Sequence, residues 1–302
     1  MTREHRLTGF ALCVACAGGC AKHEASSGPS SVSSAPMQSA APVVSPSESA
    51  AVPHEPETKA GCRALAVTGL ATIDGTPLET SSLLDGEHWL ELAAGSSIAL
   101  RHTQTSREFR LIGPGHMLPC RNGSEQILLA DGKLSTSANL GVRPGAEVLI
   151  ATPQGVVHYG DAALDLELGN DGLRLRVKQG EAWLEPEERG KPHFANPVRS
   201  GAEARLARTS AKPSSLVDAC RNAALAAESS AQRVLSSEGA GGGESLGARA
   251  ASHMRERSKA RAACASAAAA VITDNDPAIR QRLSAAVAHA DALWQSVPRA
   301  RP

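Results

Sequence analysis

The sequence predicts an α+β chain. An all-β sandwich or roll of short antiparallel strands is expected over residues 61–211, and a small alanine-rich helical bundle over 212–302. Three observations predict this. In the first stretch, short runs alternate apolar and polar residues and end at glycine, the period of strands with one buried face. In the second, alanine dominates and residues suited to helix starts fall between the runs. Aromatic residues are 2% of the 302, so the core of either part is aliphatic.

The first 60 residues belong to neither part. Arg3, His5 and Arg6 precede an apolar run from Leu7 to Ala17, followed by Gly18, Gly19 and Cys20. A basic start, a short apolar run and small residues are the order of a secretion signal, and the run is too short to span a bilayer. The cysteine after Ala17-Gly18-Gly19 resembles the lipobox of bacterial lipoproteins, with alanine where leucine is usual. That resemblance implies a signal peptide over 1–19, lipidation of Cys20, and membrane attachment through the lipid anchor; a plain secretion signal cut nearby is the other reading. Ala21, in place of Asp, favours the outer membrane by the same resemblance. Residues 20–60 then read as a disordered linker rich in serine, proline and alanine, with no periodic apolar face. A coil of this length has a mean end-to-end distance of about 30–35 Å.

Seven cysteines are present. With Cys13 and Cys16 in the signal and Cys20 the lipid site, Cys62, Cys120, Cys220 and Cys264 remain, an even number in an exported chain. Three pairings are open; the local one, Cys62–Cys120 with Cys220–Cys264, fits the division into a β part and a helical part. Cys220 and Cys264 each lie 22 residues from Gly242, so an antiparallel helical hairpin turning there sets them at one height. No Cys-x-x-Cys or His/Cys cluster follows the signal, so no metal site is expected.

In the β part, Leu164, Leu166 and Leu168 alternate with Asp165 and Glu167, and Leu173, Leu175 and Val177 with Arg174, Arg176 and Lys178. Leu168-Gly-Asn-Asp-Gly172 joins the two as a hairpin turn. Further strands are expected at 65–67, 88–92, 98–102, 108–112, 127–129, 147–151, 156–159, 182–184 and 204–207. Thr152-Pro-Gln-Gly155 suits a type I or type II turn, and Gly180 lets one strand reverse into the next. The row Arg174, Arg176, Lys178 reads as a solvated face or as a partner-binding stripe.

Several of these motifs recur in one order. Leu129-Ala-Asp-Gly-Lys-Leu134 is followed by Ala151-Thr-Pro-Gln-Gly155, by Tyr159-Gly160 before an alternating strand, and by Val177-Lys-Gln-Gly-Glu-Ala-Trp183. With Phe109-Arg-Leu-Ile-Gly-Pro-Gly115 and Ser200-Gly-Ala-Glu203, this order resembles the FecR family over residues 85–208. The resemblance implies an extracytoplasmic β domain of a cell-envelope regulator. Regulatory members also carry a cytoplasmic segment and a membrane span, and neither is expected here. The implied role is therefore that of the envelope domain, without anti-sigma activity.

The helical part reads as helices over 216–236 and 244–272, turning at Gly241-Gly242-Gly243, with a third after Asp276-Pro277. Ser214 or Ser215 is the expected cap of the first. Leu283, Val287, Ala290, Leu293 and Trp294 recur at helical spacing on the third, and Trp294 is expected as a packing anchor. Arg255, Arg257, Lys259 and Arg261 form a basic cluster whose pairs Arg255/Lys259 and Arg257/Arg261 occupy neighbouring faces. It reads as a solvated face or as a second candidate partner surface.

Enzyme chemistry finds little support. Gly243-Glu-Ser245-Leu-Gly247 matches Gly-x-Ser-x-Gly, but a glycine run stands where a nucleophile elbow needs an apolar strand. The histidines are scattered and no phosphate loop occurs, so no catalytic residue and no cofactor are expected. With Lys and Arg 31 against Asp and Glu 31, and few aromatics to stack on bases, no nucleic acid partner is expected either. The expected function is a lipid-anchored envelope module that meets a protein or glycan partner. The alternative is an envelope scaffold that self-associates through its helices.

Overall fold

The computed structural model describes residues 60–138, 147–186, 197–208, 211–236 and 245–297. Every described residue lies in one compact unit, Glu55–Pro302. Cys20, the signal peptide, the linker and the glycine turn at 241–243 fall outside the described residues.

Among the described residues, seventeen strands and three helices follow one another. The strands are β1 (Cys62–Thr68), β2 (Ala71–Ile73), β3 (Thr76–Pro77), β4 (Leu83–Leu84), β5 (Leu90–Leu92), β6 (Ser97–His102), β7 (Glu108–Ile112), β8 (Gly115–Leu118), β9 (Gln126–Leu129), β10 (Gly132–Thr136), β11 (Val148–Thr152), β12 (Gly155–Tyr159), β13 (Ala163–Gly169), β14 (Gly172–Gln179), β15 (Glu181–Pro186), β16 (Val198–Arg199) and β17 (Glu203–Ala207). The helices are α1 (Pro213–Leu235), α2 (Leu246–Val271) and α3 (Pro277–Ser296). One sheet has eight strands in the order β17-β14-β13-β10-β7-β6-β1-β4. The other has nine, β16-β15-β12-β11-β9-β8-β5-β2-β3.

The expected sheet-and-helix architecture is present. The pairing is antiparallel with one departure: β9 and β11 run parallel, Ile127 opposite Ile150. The leucine alternation does what its period requires. Leu164, Leu166, Leu168, Leu173, Leu175 and Val177 point into a core shared with Ile127, Ile150, Val157 and Tyr159 of the facing sheet. Strands β2, β3, β4, β8, β10 and β16 complete the sheets beyond those expected at the sequence level; most are too short to show a period.

The expected β13–β14 hairpin forms, and of the turns read from the sequence it is the one at Gly180 that departs from expectation. In the β13–β14 hairpin the positive φ falls on Gly172, at +115°, and on neither Asn170 nor Asp171. A Cβ at Gly172 would also overlap the Leu206 carbonyl oxygen on neighbouring β17, so glycine is needed there twice over. Gly180, at φ +81°, does not close a hairpin: it carries the chain from β14 in one sheet to β15 in the other. At 152–155, Gln154 has no positive φ, which excludes type II. The Thr152 hydroxyl accepts from the Gln154 and Gly155 amides, both at 3.2 Å.

Helices α1 and α2 form the antiparallel pair, and α3 packs across both over Leu216, Val217, Val287 and Ala290. Helix α1 starts earlier than expected. Lys212 stands at its cap, Pro213 at its first turn, and the Ser215 hydroxyl donates to the Lys212 carbonyl. Ser245 caps α2, accepting from the Ala248 amide at 3.2 Å, and Asp276 caps α3 as expected. One face of α2 lies on the nine-stranded sheet: Ala265 and Ala269 meet Leu118, Leu128, Leu149, Ala151 and Val156. The body is thus three layers: sheet, sheet and helices.

Both local cysteine pairs stand at disulfide distance, Cys62–Cys120 with Cα atoms 5.8 Å apart and Cys220–Cys264 with Cα atoms 4.5 Å apart. All four are fully buried. No helix among the described residues is long and apolar enough to cross a membrane.

Candidate functional site

The cross-strand register of the nine-stranded sheet assembles the site. Gln126 on β9 lies opposite Leu149 on β11, Leu149 opposite His158 on β12, and His158 opposite Trp183 on β15. Opposed residues share a face, so these four form one row on the outer side of the sheet. Helix α2 covers the row at Leu149 through Ala265 and Ala269. Between the sheet rim and helices α2 and α3 this leaves a cleft of about 730 Å³, with Gln126, Glu147, Met254, Arg257, Arg261 and Trp294 in its walls.

The electrostatics beside the cleft centre on His158. Its Nδ1 lies 3.1 Å from Glu147 Oε1 and its Nε2 3.4 Å from Glu185 Oε2. Burial opposes the positive charge, but the hydrogen bond to Glu147 and the pairing with Glu185 outweigh it and raise the imidazole to about 9. The hydrogen bond from His158 holds the Glu147 carboxyl below its ordinary value against the opposing effect of burial, and the nearby charge of Arg261 helps. Beneath the rim, Glu125 is engaged by the Thr105 hydroxyl and by Arg107, whose Nε is 3.5 Å away; both side chains of the ion pair are buried.

A second buried pair ties the β part to α3. Arg121, next to Cys120, places Nη2 2.5 Å from Asp291 Oδ2. Burial lowers the Arg121 pKa and the Asp291 charge works against that fall. Asp291 also accepts from the Trp294 indole at 2.9 Å and from the Gln295 amide at 3.0 Å, so all its partners hold the end of α3 in place.

The two basic groups singled out in the sequence lie on different surfaces. Arg174, Arg176 and Lys178 face outward from the eight-stranded sheet in a ladder of opposite charges. Arg174 pairs with Glu203 at 2.9 Å and Lys178 with Asp165 at 2.6 Å, while Arg176 lies opposite Asp165 and Glu203. Hydrogen bonds from Arg174 and Arg205 hold Glu203 down to about 2. The helical cluster splits by face. Arg255 and Lys259 are exposed, with Lys259 2.8 Å from Glu256. Arg257 is buried: its Nη1 donates to the carbonyls of Trp294, at 3.1 Å, and Val297, and its guanidinium lies 5.5 Å from the Trp294 ring centre. It therefore closes the end of α3, as a cation at a helix C-terminus does, and cannot serve an exposed surface. Arg261 is half-buried and faces the cleft. Trp294 is both packing anchor and cleft wall.

Gln126, Glu147, His158 and Glu185 were not legible as a group. The alternation around 156–159 places His158 and Val156 on one face, but which strands neighbour β12 is a matter of topology. Ser245, the centre of the Gly-x-Ser-x-Gly match, accepts a hydrogen bond at the start of α2, which is a capping role. Among the described residues, no group of three His, Cys, Asp or Glu is placed to hold a metal ion.

No family model matches the chain, and no curated protein matches it. Among solved structures, a protein of Parabacteroides distasonis described as a candidate anti-sigma factor is similar at 12% identity and a TM-score of 0.33. The similarity covers 41% of this chain and 57% of that one. A likeness that distant establishes neither fold nor function here.

Proposed function

We propose that this chain is a lipid-anchored cell-envelope protein whose FecR-like β domain serves as a non-enzymatic interaction or sensing module. The observation that carries the reading is the state of its cysteines. Cys62, Cys120, Cys220 and Cys264 are all buried and stand in two pairs at disulfide distance, which suits an oxidising compartment outside the cytoplasm. That leaves Cys20, behind a signal-like run and ahead of a proline-rich linker, as the cysteine for a lipid. The motif order Thr-Pro-x-Gly, Tyr-Gly and Val-x-x-Gly, which resembles that of the FecR family, falls at turns and at corners between the two sheets, consistent with a role in shaping the fold. Labelling with radioactive palmitate is expected to mark the wild type and leave Cys20→Ala unmarked. Equal labelling of both would overturn the anchor.

Self-association through the helices has one observation in its favour. Leu225 and Leu235 of α1 and Leu246 and Met254 of α2 are exposed apolar side chains. Crosslinking in intact envelopes followed by capture separates the two: distinct partners support the module, self-contacts alone support the scaffold.

A further inference from the structure

We propose that the outer face of the eight-stranded sheet docks on a membrane surface of anionic phospholipid headgroups. The helices cover the nine-stranded sheet, so this face lies on the opposite side of the body and is open to solvent.

The register sets its charges in rows. Across the sheet, Arg205, Arg174, Glu167 and Lys133 oppose one another in turn. The next row runs Glu203, Arg176, Asp165, Ser135 and Arg110. Arg101 lies between Glu108 and Arg63, and Lys178 continues the outward side of β14. Opposed residues share a face, so these side chains point away from the leucines of the core. Eight of them are Lys or Arg, all exposed, and four are Asp or Glu. The face carries a net charge of +4 in a chain whose 31 basic and 31 acidic residues cancel.

The ion pairs do not remove this excess. Arg174 and Arg205 share Glu203, while Lys178 holds Asp165, Lys133 holds Glu167 and Arg101 holds Glu108. Five cations thus share four carboxylates, and Arg63, Arg110 and Arg176 add to the surplus.

The face lacks what other partners require. Among the described residues it has no aromatic side chain. Protein interfaces are built around aromatic and other apolar anchors, and sites for small ligands are concave and lined with them. Attraction between a broad cationic face and a layer of anions needs neither, since each Lys or Arg near an anionic bilayer adds its own share. The chain also enters the body at β1 of this sheet, and a lipid on Cys20 would keep the face within reach of a bilayer. The choice of a bilayer over a soluble polyanion rests on that anchor reading; the charge of the face does not.

Cosedimentation of the full chain with vesicles tests this, in the Cys20→Ala variant so that no lipid on the protein contributes. Binding to vesicles of phosphatidylglycerol mixed with phosphatidylcholine is expected to exceed binding to phosphatidylcholine alone at least about tenfold, and about 0.5 M salt should abolish the difference. Arg110→Gln combined with Arg176→Gln, which leaves the five ion pairs above in place, is expected to weaken binding to the anionic vesicles about tenfold or more. Arg255→Gln combined with Lys259→Gln, the same loss of charge on the exposed side of α2, should leave it unchanged. All four positions are exposed, and thermal melts check that the variants fold alike. The proposal is overturned if neutral vesicles bind equally, if the Arg110/Arg176 variant keeps full affinity, or if both double variants weaken binding alike. It is also overturned if the acidic polysaccharide alginate, at equal anion concentration, strips the protein from the vesicles, which would assign the face to an anionic glycan. None of these outcomes bears on palmitate labelling of Cys20, so the two readings fail separately.

Discussion

At His158, burial and two carboxylates pull in opposite directions, and the carboxylates win. The folded imidazole stands at about 9 against 6.5 for an unperturbed histidine. The stabilisation this gives is fully present below pH 6.5, where folded and unfolded chains both hold the proton. It is lost as pH rises through about 9, where the folded form gives the proton up. The wild type should therefore lose stability between pH 6.5 and 9, with a lower urea midpoint at the upper end. His158→Gln, which has no proton to lose, should show a flatter dependence over that window. Parallel pH profiles would refute this account. The residue was visible in the sequence only as one of ten scattered histidines, because its partners arrive from β15 and from the segment preceding β11.

Among the elements, α2 is the most heavily used. Along its C-terminal half Cys264, Ala267 and Ala270 pack toward α1 and α3, while Ala265 and Ala269 pack on the sheet. Only small side chains let one helix lie close to neighbours on two sides, which explains the alanine content better than helix propensity alone. Small side chains also bury little area each, so the Cys220–Cys264 link matters to this pair. Replacing both cysteines by serine is expected to cost about 4 kcal/mol, the chain-entropy value for a loop of this size. Denaturant unfolding would measure it, and non-reducing mass mapping that found Cys220 free would refute the link. The equal spacing of the two cysteines from Gly242 already indicated their proximity. Nothing in the spacing told that α2 would also cover a sheet.

Over the whole molecule, the helices supply the outer cover of the nine-stranded sheet. Leu118, Leu128, Leu149, Ala151 and Val156 form an apolar patch that α2 buries, and the buried Arg121–Asp291 pair pins α3 to the turn after Cys120. A chain ending at residue 211 would expose that patch and leave Arg121 without its carboxylate, and breaking a buried pair costs about 3–5 kcal/mol. The truncated β part is expected to bind a hydrophobic dye or associate, whereas the full chain should melt in one cooperative transition. A monomeric, dye-silent fragment with the full chain's melting temperature would show that the layers are independent.

The sequence by itself determined much of the local order of this protein: eleven of the seventeen described strands, the three helices and which leucines face inward, and it favoured one of three open cysteine pairings. Those properties follow from periods of 2 and 3.6 residues and from capping and turn chemistry, all read within a few positions of the chain. Only the tertiary structure decided that Gly180 is a corner between sheets, that β9 and β11 run parallel, and that Arg257 is a buried helix cap. It alone brought Gln126, Glu147 and Arg261 around one cleft, with His158 beside it against Glu147. These are contacts across strands or between layers; Arg121 and Asp291 lie 170 residues apart. No local pattern encodes such pairings, because they are fixed by which faces must be buried against each other once the elements exist.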